Sequence, residues 1–503
     1  MGGFIVAGLI AATATIAAAK PGDVGAMPPP KPAPAAPPAT CTGAFSGGGA
    51  INVASPAYLN DVPQGQIFCD FHTFGWNQFI YLTQMTPDPN NGKALTPLFL
   101  QMAPWYNLLK LDGSKAPGPY PGGNTGLKTA GLDQGQAGTD DHLVDVAGAT
   151  VLYDIRFNAA MYNFVVQKGL YTEATYKKAC LPDAGGNCQN PLWLPPDSVT
   201  TPAIPGALEV KTSWRDFGTA KACPATIFYC NGRFGLVGLH LVQKTQTHGE
   251  WIWASFEHVA NDPDCAPGGD TPIAPTSPLG TPWSFFNPQT AGSGVMTSKT
   301  CSVTTSPPQC NADPTPGSST TYIQVNICRT DLLPAGGASA ANCVAVPDGP
   351  KQPASNSPGN VACLNATFQP QMKGVWKNYK MIGSLWIRGT NPPTTPFTIQ
   401  GFQTQQANVK FGEPIGFPHM ANTTMETWLQ TGSTGYDPFG TNAKQAGCFL
   451  CHQLPTNKAS TATFSAALGS DDLSHFTNKL PTTKLKALLK MLIPATSSVK
   501  GRN

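Results

Sequence analysis

Hydrophobic positions in the first third of the chain recur mostly at helical spacing. Phe71, Phe74, Phe79 and Leu82 predict a helix from residue 71 to about 85, with Asp70 as its N-cap. A second helix is expected from about residue 156 to 168, with Gly169 just past its end, and a short third over 172–179. The middle of the chain changes to period two. Residues 207–214 alternate, and residues 233–244 and 250–259 read as two long β-rich runs joined by a hairpin turn at 245–249. Residues 321–328 and 380–388 add two more expected strands. Towards the end the period becomes helical again. Thr423 and Glu426 have capping-box spacing for a short helix carrying Met425, Trp428 and Leu429. Leu485, Leu488, Leu489 and Leu492 form one stripe of a last helix, over 484–493, stopped by Pro494.

Composition sharpens this picture. Gly (52) and Pro (50) are about a fifth of the 503 residues, where about 12% is ordinary. That load favours turns and short strands over long helices. The expected class is therefore α+β, predominantly β. The large body spans 41–435, and a small helical segment follows over 436–503. The net charge of +3, with no run of basic residues, is too small for a nucleic-acid binder.

The N-terminus reads as an export signal over residues 1–19. Residues 4–19 are apolar or small and end in Ala17-Ala18-Ala19, a small-x-small cleavage pattern. No Lys or Arg precedes the run, so a retained anchor is the competing reading. With the signal cleaved, no membrane span is expected. Residues 20–40 are rich in Pro and Ala and read as an extended tether. Fourteen cysteines also fit a periplasmic or extracellular bacterial protein. Twelve of them allow up to six disulfides, and spacing suggests local clips at Cys180–Cys188, Cys223–Cys230 and Cys301–Cys310.

The remaining two cysteines carry the chemistry. Cys448-Phe449-Leu450-Cys451-His452 is the C-x-x-C-H attachment sequence for c-type haem. Two thiols at this spacing can add to the two vinyl groups of one porphyrin, and the next residue then presents its imidazole to the iron. At this composition a chance occurrence is expected about 0.006 times per chain. The expected cofactor is one covalent haem c. A sixth ligand decides its use. A second strong-field ligand gives electron transfer, and an open position gives oxygen or peroxide chemistry. His475 is the first candidate, 23 residues past His452. Met491, His419, Met420 and an open site are the alternatives. Three further groupings have blander readings. His240, His248 and His258 suit the polar side of a sheet better than a metal site. Asp140-Asp141-His142 suits a solvated loop, and Trp251 with Trp253 suits a core.

The chain resembles secreted bacterial monohaem cytochrome-c-like proteins. The likeness rests on residues 74–82 (FGWNQFIYL), 208–215 (LEVKTSWR), 251–261, 379–386 (YKMIGSLW), 422–426 (NTTME) and the haem motif at 448–452. It implies one haem near the C-terminus of a large β-rich body, and matches a Ser-His-aromatic triplet to Ser474-His475-Phe476. The expected function is one-electron transfer through His452 and His475, with a redox protein or a small-molecule donor or acceptor as partner. A haem oxygenase or peroxidase, with a substrate pocket in the large body, is the second reading. A haem-bearing structural module that self-assembles is the third.

Overall fold

In the computed structural model, the described residues are 40–46, 48–63, 67–109, 115–127, 151–172, 205–217, 230–231, 234–246, 251–265, 276–286, 327–329, 343–344, 357–387, 414–416 and 422–426, with single positions 143, 145, 146, 194, 197, 274 and 333. The elements in chain order are α1 (Phe68–Leu82), β1 (Met85–Asp88), β2 (Asn91–Pro97), β3 (Ala103–Pro104), α2 (Trp105–Leu108), β4 (Val151–Phe157), α3 (Ala159–Gln167), β5 (Leu208–Asp216), β6 (Cys230–Asn231), β7 (Phe234–Lys244), β8 (Trp251–His258), α4 (Ser357–Phe368), β9 (Tyr379–Ile387) and β10 (Pro414–Gly416). β1 and β2 form a two-stranded sheet. The remaining strands form one eight-stranded antiparallel sheet in the order β10-β9-β8-β7-β5-β4-β3, with β6 beside β7.

The sheet is β-rich for the expected reason and is covered on both faces. On one face α1 and α4 pack over Val210, Leu239, Leu241, Ala254, Phe256 and Met381. Phe79 stacks on Phe256 at 4.2 Å between ring centroids, and Phe71 stacks on Trp386 at 3.9 Å. Gly75 lets α1 approach this closely: a methyl group there would lie 2.9 Å from Ala254 Cβ. On the opposite face α3 packs with Ile155, Phe157, Val242, Trp251, Trp253, Ile382 and Leu385. Trp251 and Trp253 are thus core residues, as expected. Both faces being buried explains why the sequences of β7 and β8 are nearly continuously apolar.

Several local expectations change. Asp70 is not the N-cap. The helix begins three residues earlier, at Phe68 after Ile67, and Asp70 accepts bonds from Ser46 N (2.8 Å) and Ser46 Oγ (2.6 Å). A segment of the N-terminal region needs that carboxylate more than the helix end does. The expected helix over 156–168 is a strand followed by a helix. Val151–Phe157 forms β4, Asn158 caps α3 by accepting from Met161 N, and Arg156 is buried against Asp154 and the carbonyls of Leu100 and Met102. Gly169 adopts φ 67° just beyond α3, as its place predicted. Helix α4 was not expected at all.

Three disulfides join described residues: Cys41–Cys69, Cys265–Cys328 and Cys343–Cys363. Of the three local clips expected from spacing, only Cys230 is a described residue, and its expected partner Cys223 and the other two clips lie outside the described residues, as do residues 1–39 and the whole segment 436–503. No helix among the described residues is long and apolar enough to cross a membrane.

Candidate functional site

Strand register assembles a polar patch on the face opposite α1. One row across the sheet is Lys211 on β5, His240 on β7 and Ser255 on β8. The next is Tyr153 on β4, Ser213, Gly238, Glu257 and Lys380 on β9. Cross-strand partners share a face, so these side chains meet although they are spread over more than 200 positions of sequence. The patch lies between two apolar clusters on that face, one around α3 and the other around Val151, Val237, Phe285, Ile327 and Met425.

A tight turn, Asn422–Glu426, covers this patch. Asn422 Nδ2 donates to Ser255 Oγ at 3.1 Å and to the Phe256 carbonyl at 2.9 Å. Its Oδ1 accepts from Thr424 N and Thr424 Oγ1 at 2.9 and 2.8 Å. Thr424 Oγ1 lies 2.6 Å from Ser213 Oγ, and Tyr153 donates its hydroxyl to the Thr424 carbonyl at 2.7 Å. The turn fits because Gly238 has no side chain. A methyl group there would lie 2.6 Å from Ser213 Oγ and closer still to Thr424 Oγ1. The expected capping box is shifted by one residue. Glu426 Oε2 accepts from Asn422 N at 3.0 Å, and Glu426 N donates to the Asn422 carbonyl at 2.9 Å. Thr423 is drawn away because its N–H donates to Glu257 Oε2 at 3.0 Å. Trp428 and Leu429 lie outside the described residues.

Charge closes the turn at both ends. At one end Arg329 Nη2 donates to Glu257 Oε1 at 2.5 Å and to Thr423 Oγ1 at 3.1 Å, and Lys380 Nζ lies 3.8 Å from Glu257. Arg329 follows Cys328 directly, so the Cys265–Cys328 disulfide and the paired Arg329 and Pro263 backbones set its position. Asp262 joins this buried group beside Thr423. Burial, and then the Glu257 charge, push its carboxyl up to about 7, against the pull of Arg329, Lys380 and a hydrogen bond from Thr423. At the other end His240 Nε2 faces Glu426 Oε2 at 3.4 Å. Burial raises the Glu426 carboxyl, but His240, Lys211 and the Asn422 N–H outweigh it and hold it below its ordinary value.

His240 and His258 do not converge. His240 pairs across from Ser255, and His258 stands three residues further along β8, so it points to the other face. There its Nδ1 accepts from Ala260 N at 3.1 Å, with its ring edge-on to Tyr379. His248 and Asp140-Asp141-His142 lie outside the described residues. No group of three or more His, Cys, Asp or Glu is placed to hold a metal ion among the described residues. Cys448, Cys451, His452 and His475 lie outside them, together with His419, Met420 and Met491. The sequence signalled Thr423 and Glu426 by their spacing and Asn422 only as part of the 422–426 segment, and it did not signal Gly238 or Arg329, whose roles depend on register and a disulfide. Protein-family models, curated proteins and solved structures were compared with the chain, and none matches it.

Proposed function

We propose that the protein is an exported monohaem c-type cytochrome that passes single electrons. Cys448 and Cys451 bond the porphyrin, and His452 and His475 hold its iron. The C-x-x-C-H sequence carries this reading. Three disulfides fit an oxidising compartment, which is also where c-type haem is attached. In sequence, the motif begins 22 residues after Glu426, the last described residue of the turn held on the sheet. Its partner in this reading is a redox protein or a small-molecule electron donor or acceptor.

Intact mass and an optical spectrum test the proposal. The mature chain should gain the mass of one haem that survives acid extraction. The ferric spectrum should be low-spin and indifferent to cyanide, and His475→Ala should convert it to high-spin. Absence of the added mass refutes the cytochrome reading. An added mass with rapid CO binding after reduction refutes the six-coordinate site and favours an oxygenase or peroxidase.

A further inference from the structure

We infer that Asn91, at the tip of the β1–β2 ribbon, is a site of spontaneous covalent modification in the folded protein. Its side-chain amide is lost to attack by the Gly92 nitrogen, which leaves aspartate or isoaspartate at position 91. The inference goes beyond electron transfer and does not depend on haem being bound.

The sequence holds two Asn-Gly pairs, Asn91-Gly92 and Asn231-Gly232. Both are open to this reaction by type, because the attacking nitrogen must swing onto the Asn Cγ and glycine has no side chain to obstruct it. The fold separates them. Asn231 lies in β6 and pairs with Phe234 of β7, within the eight-stranded sheet. Asn91 opens β2 of the separate two-stranded ribbon, and Asn91, Gly92 and Lys93 are all exposed. Register sharpens the difference. Thr86 pairs with Thr96, Pro87 with Leu95 and Asp88 with Asn91, so one step along β1 is matched by a four-residue step along β2. Gly92, Lys93 and Ala94 therefore have no partner across the ribbon, and no ladder holds the backbone that must rotate. A methyl group at Gly92 would meet no atom within 4 Å, so no neighbour walls off the approach. Asn90 gives the contrast: its N–H donates to Asp88 Oδ1 at 2.8 Å and its Nδ2 to the Gly122 carbonyl at 3.1 Å. Those ties end one residue before the reacting pair.

The step needs no co-reactant but water. The Gly92 nitrogen gives up its proton and forms a bond to Asn91 Cγ. The Cγ–Nδ2 bond breaks, and the departing nitrogen takes up a proton and leaves as ammonia, which closes a cyclic imide. Water then opens the ring at either carbonyl. One opening gives aspartate, and the other routes the main chain through the side-chain carbonyl and gives isoaspartate. No electrons are gained or lost. Either product carries a carboxylate across the ribbon from Asp88, which is buried and accepts from Asn90 N and, at 3.0 Å, from Asn124 N. Like charges on directly opposed residues repel, so conversion weakens the tip that Asp88 ties to residue 124.

Peptide mapping of the freshly purified full-length protein, aged in warm, mildly alkaline buffer, tests this. Conversion at positions 91 and 231 is followed by the amide-to-acid mass gain, and isoaspartate is identified by labelling with a protein-isoaspartate methyltransferase. In the folded protein Asn91 should convert about tenfold or more faster than Asn231, which must open locally before it can react. In urea with the disulfides reduced, the two rates should converge, because only the neighbouring residues then act. Gly92→Ala, which the open surroundings accommodate, should slow conversion at 91 several-fold. Equal rates at 91 and 231 in the folded protein overturn the inference. So does conversion at 91 that proceeds only in urea, and a rate difference that persists in urea overturns the role given to the fold. An unchanged rate in Gly92→Ala overturns the route through the Gly92 nitrogen.

Discussion

Replacing Gly238 by Ala places one methyl group where the sheet meets the Asn422–Glu426 turn. The new carbon would lie 2.6 Å from Ser213 Oγ and 3.0 Å from Asn422 Oδ1, with Thr424 Oγ1 nearer still. None of these atoms is the loose end of a long side chain. Each is held in a buried hydrogen bond, so the turn must lift. Overpacking at such a position costs about 1–3 kcal/mol. Each buried polar atom left unpaired on Ser213, Ser255 or Glu257 adds about 1–3 kcal/mol. If one is orphaned, Gly238→Ala should destabilise the fold by about 2–6 kcal/mol. The sign is informative, because alanine at an uncrowded position stabilises by about 0.4–1 kcal/mol through the unfolded chain. Urea denaturation followed by tryptophan fluorescence measures the difference. Gly92→Ala is the control, since no atom lies within 4 Å of a methyl group there. A Gly238→Ala protein within about 0.5 kcal/mol of wild type would refute the role given to this notch.

Two other outcomes follow from buried polar chemistry and from disulfide pairing. Asp197 accepts from Tyr58 Oη at 2.8 Å, from Gln243 Nε2 at 2.5 Å and from Gly206 N, and burial pushes its carboxyl up to about 6. The folded protein then binds more protons than the unfolded chain between about pH 4 and 6, so this group's contribution is complete in acid and is lost as pH rises through 6. Urea titrations should show wild type losing stability relative to Asp197→Asn across that window, and the opposite slope rejects the assignment. Pairing of Cys41–Cys69, Cys265–Cys328 and Cys343–Cys363 leaves Cys180, Cys188, Cys223, Cys230, Cys301 and Cys310 outside the haem motif. A non-reducing peptide map should find these six joined as the three local clips, and any link from one of them to Cys448 or Cys451 would count against both the clips and the haem.

How far the sequence was legible depended on how local each signal was. The β7–β8 pair and β9 were readable because long apolar runs rich in β-branched and aromatic residues leave few other solutions. Strand β4 was missed because Asp154 and Arg156 interrupt it as an exposed strand would be interrupted. In the fold that polar side is buried, and Arg156 finds the Leu100, Met102 and Gly126 carbonyls from distant loops. Helix α4 was hidden by the Ser, Pro and Gly at its start. Its Val361, Leu364 and Phe368 bury a stripe that only α1 and the sheet make meaningful. The disulfides went the same way: spacing favours near neighbours, whereas the described pairs span 20 to 63 positions.

The C-x-x-C-H sequence at Cys448–His452 is wholly a property of sequence, because the spacing of two thiols and the adjacent imidazole is fixed by five consecutive residues. The predominance of β structure was also legible there, from an abundance of Gly and Pro that favours turns and short strands over long helices. What clasps the chain ahead of that motif was decided only in three dimensions. Asn422, Gly238, Ser213, Glu257 and Arg329 are individually unremarkable, and no periodicity connects them. Antiparallel register brings three of them into one row, a disulfide delivers the arginine, and the missing side chain of a glycine admits the turn. Pairing across strands is non-local, so a reading that moves along the chain has no access to it.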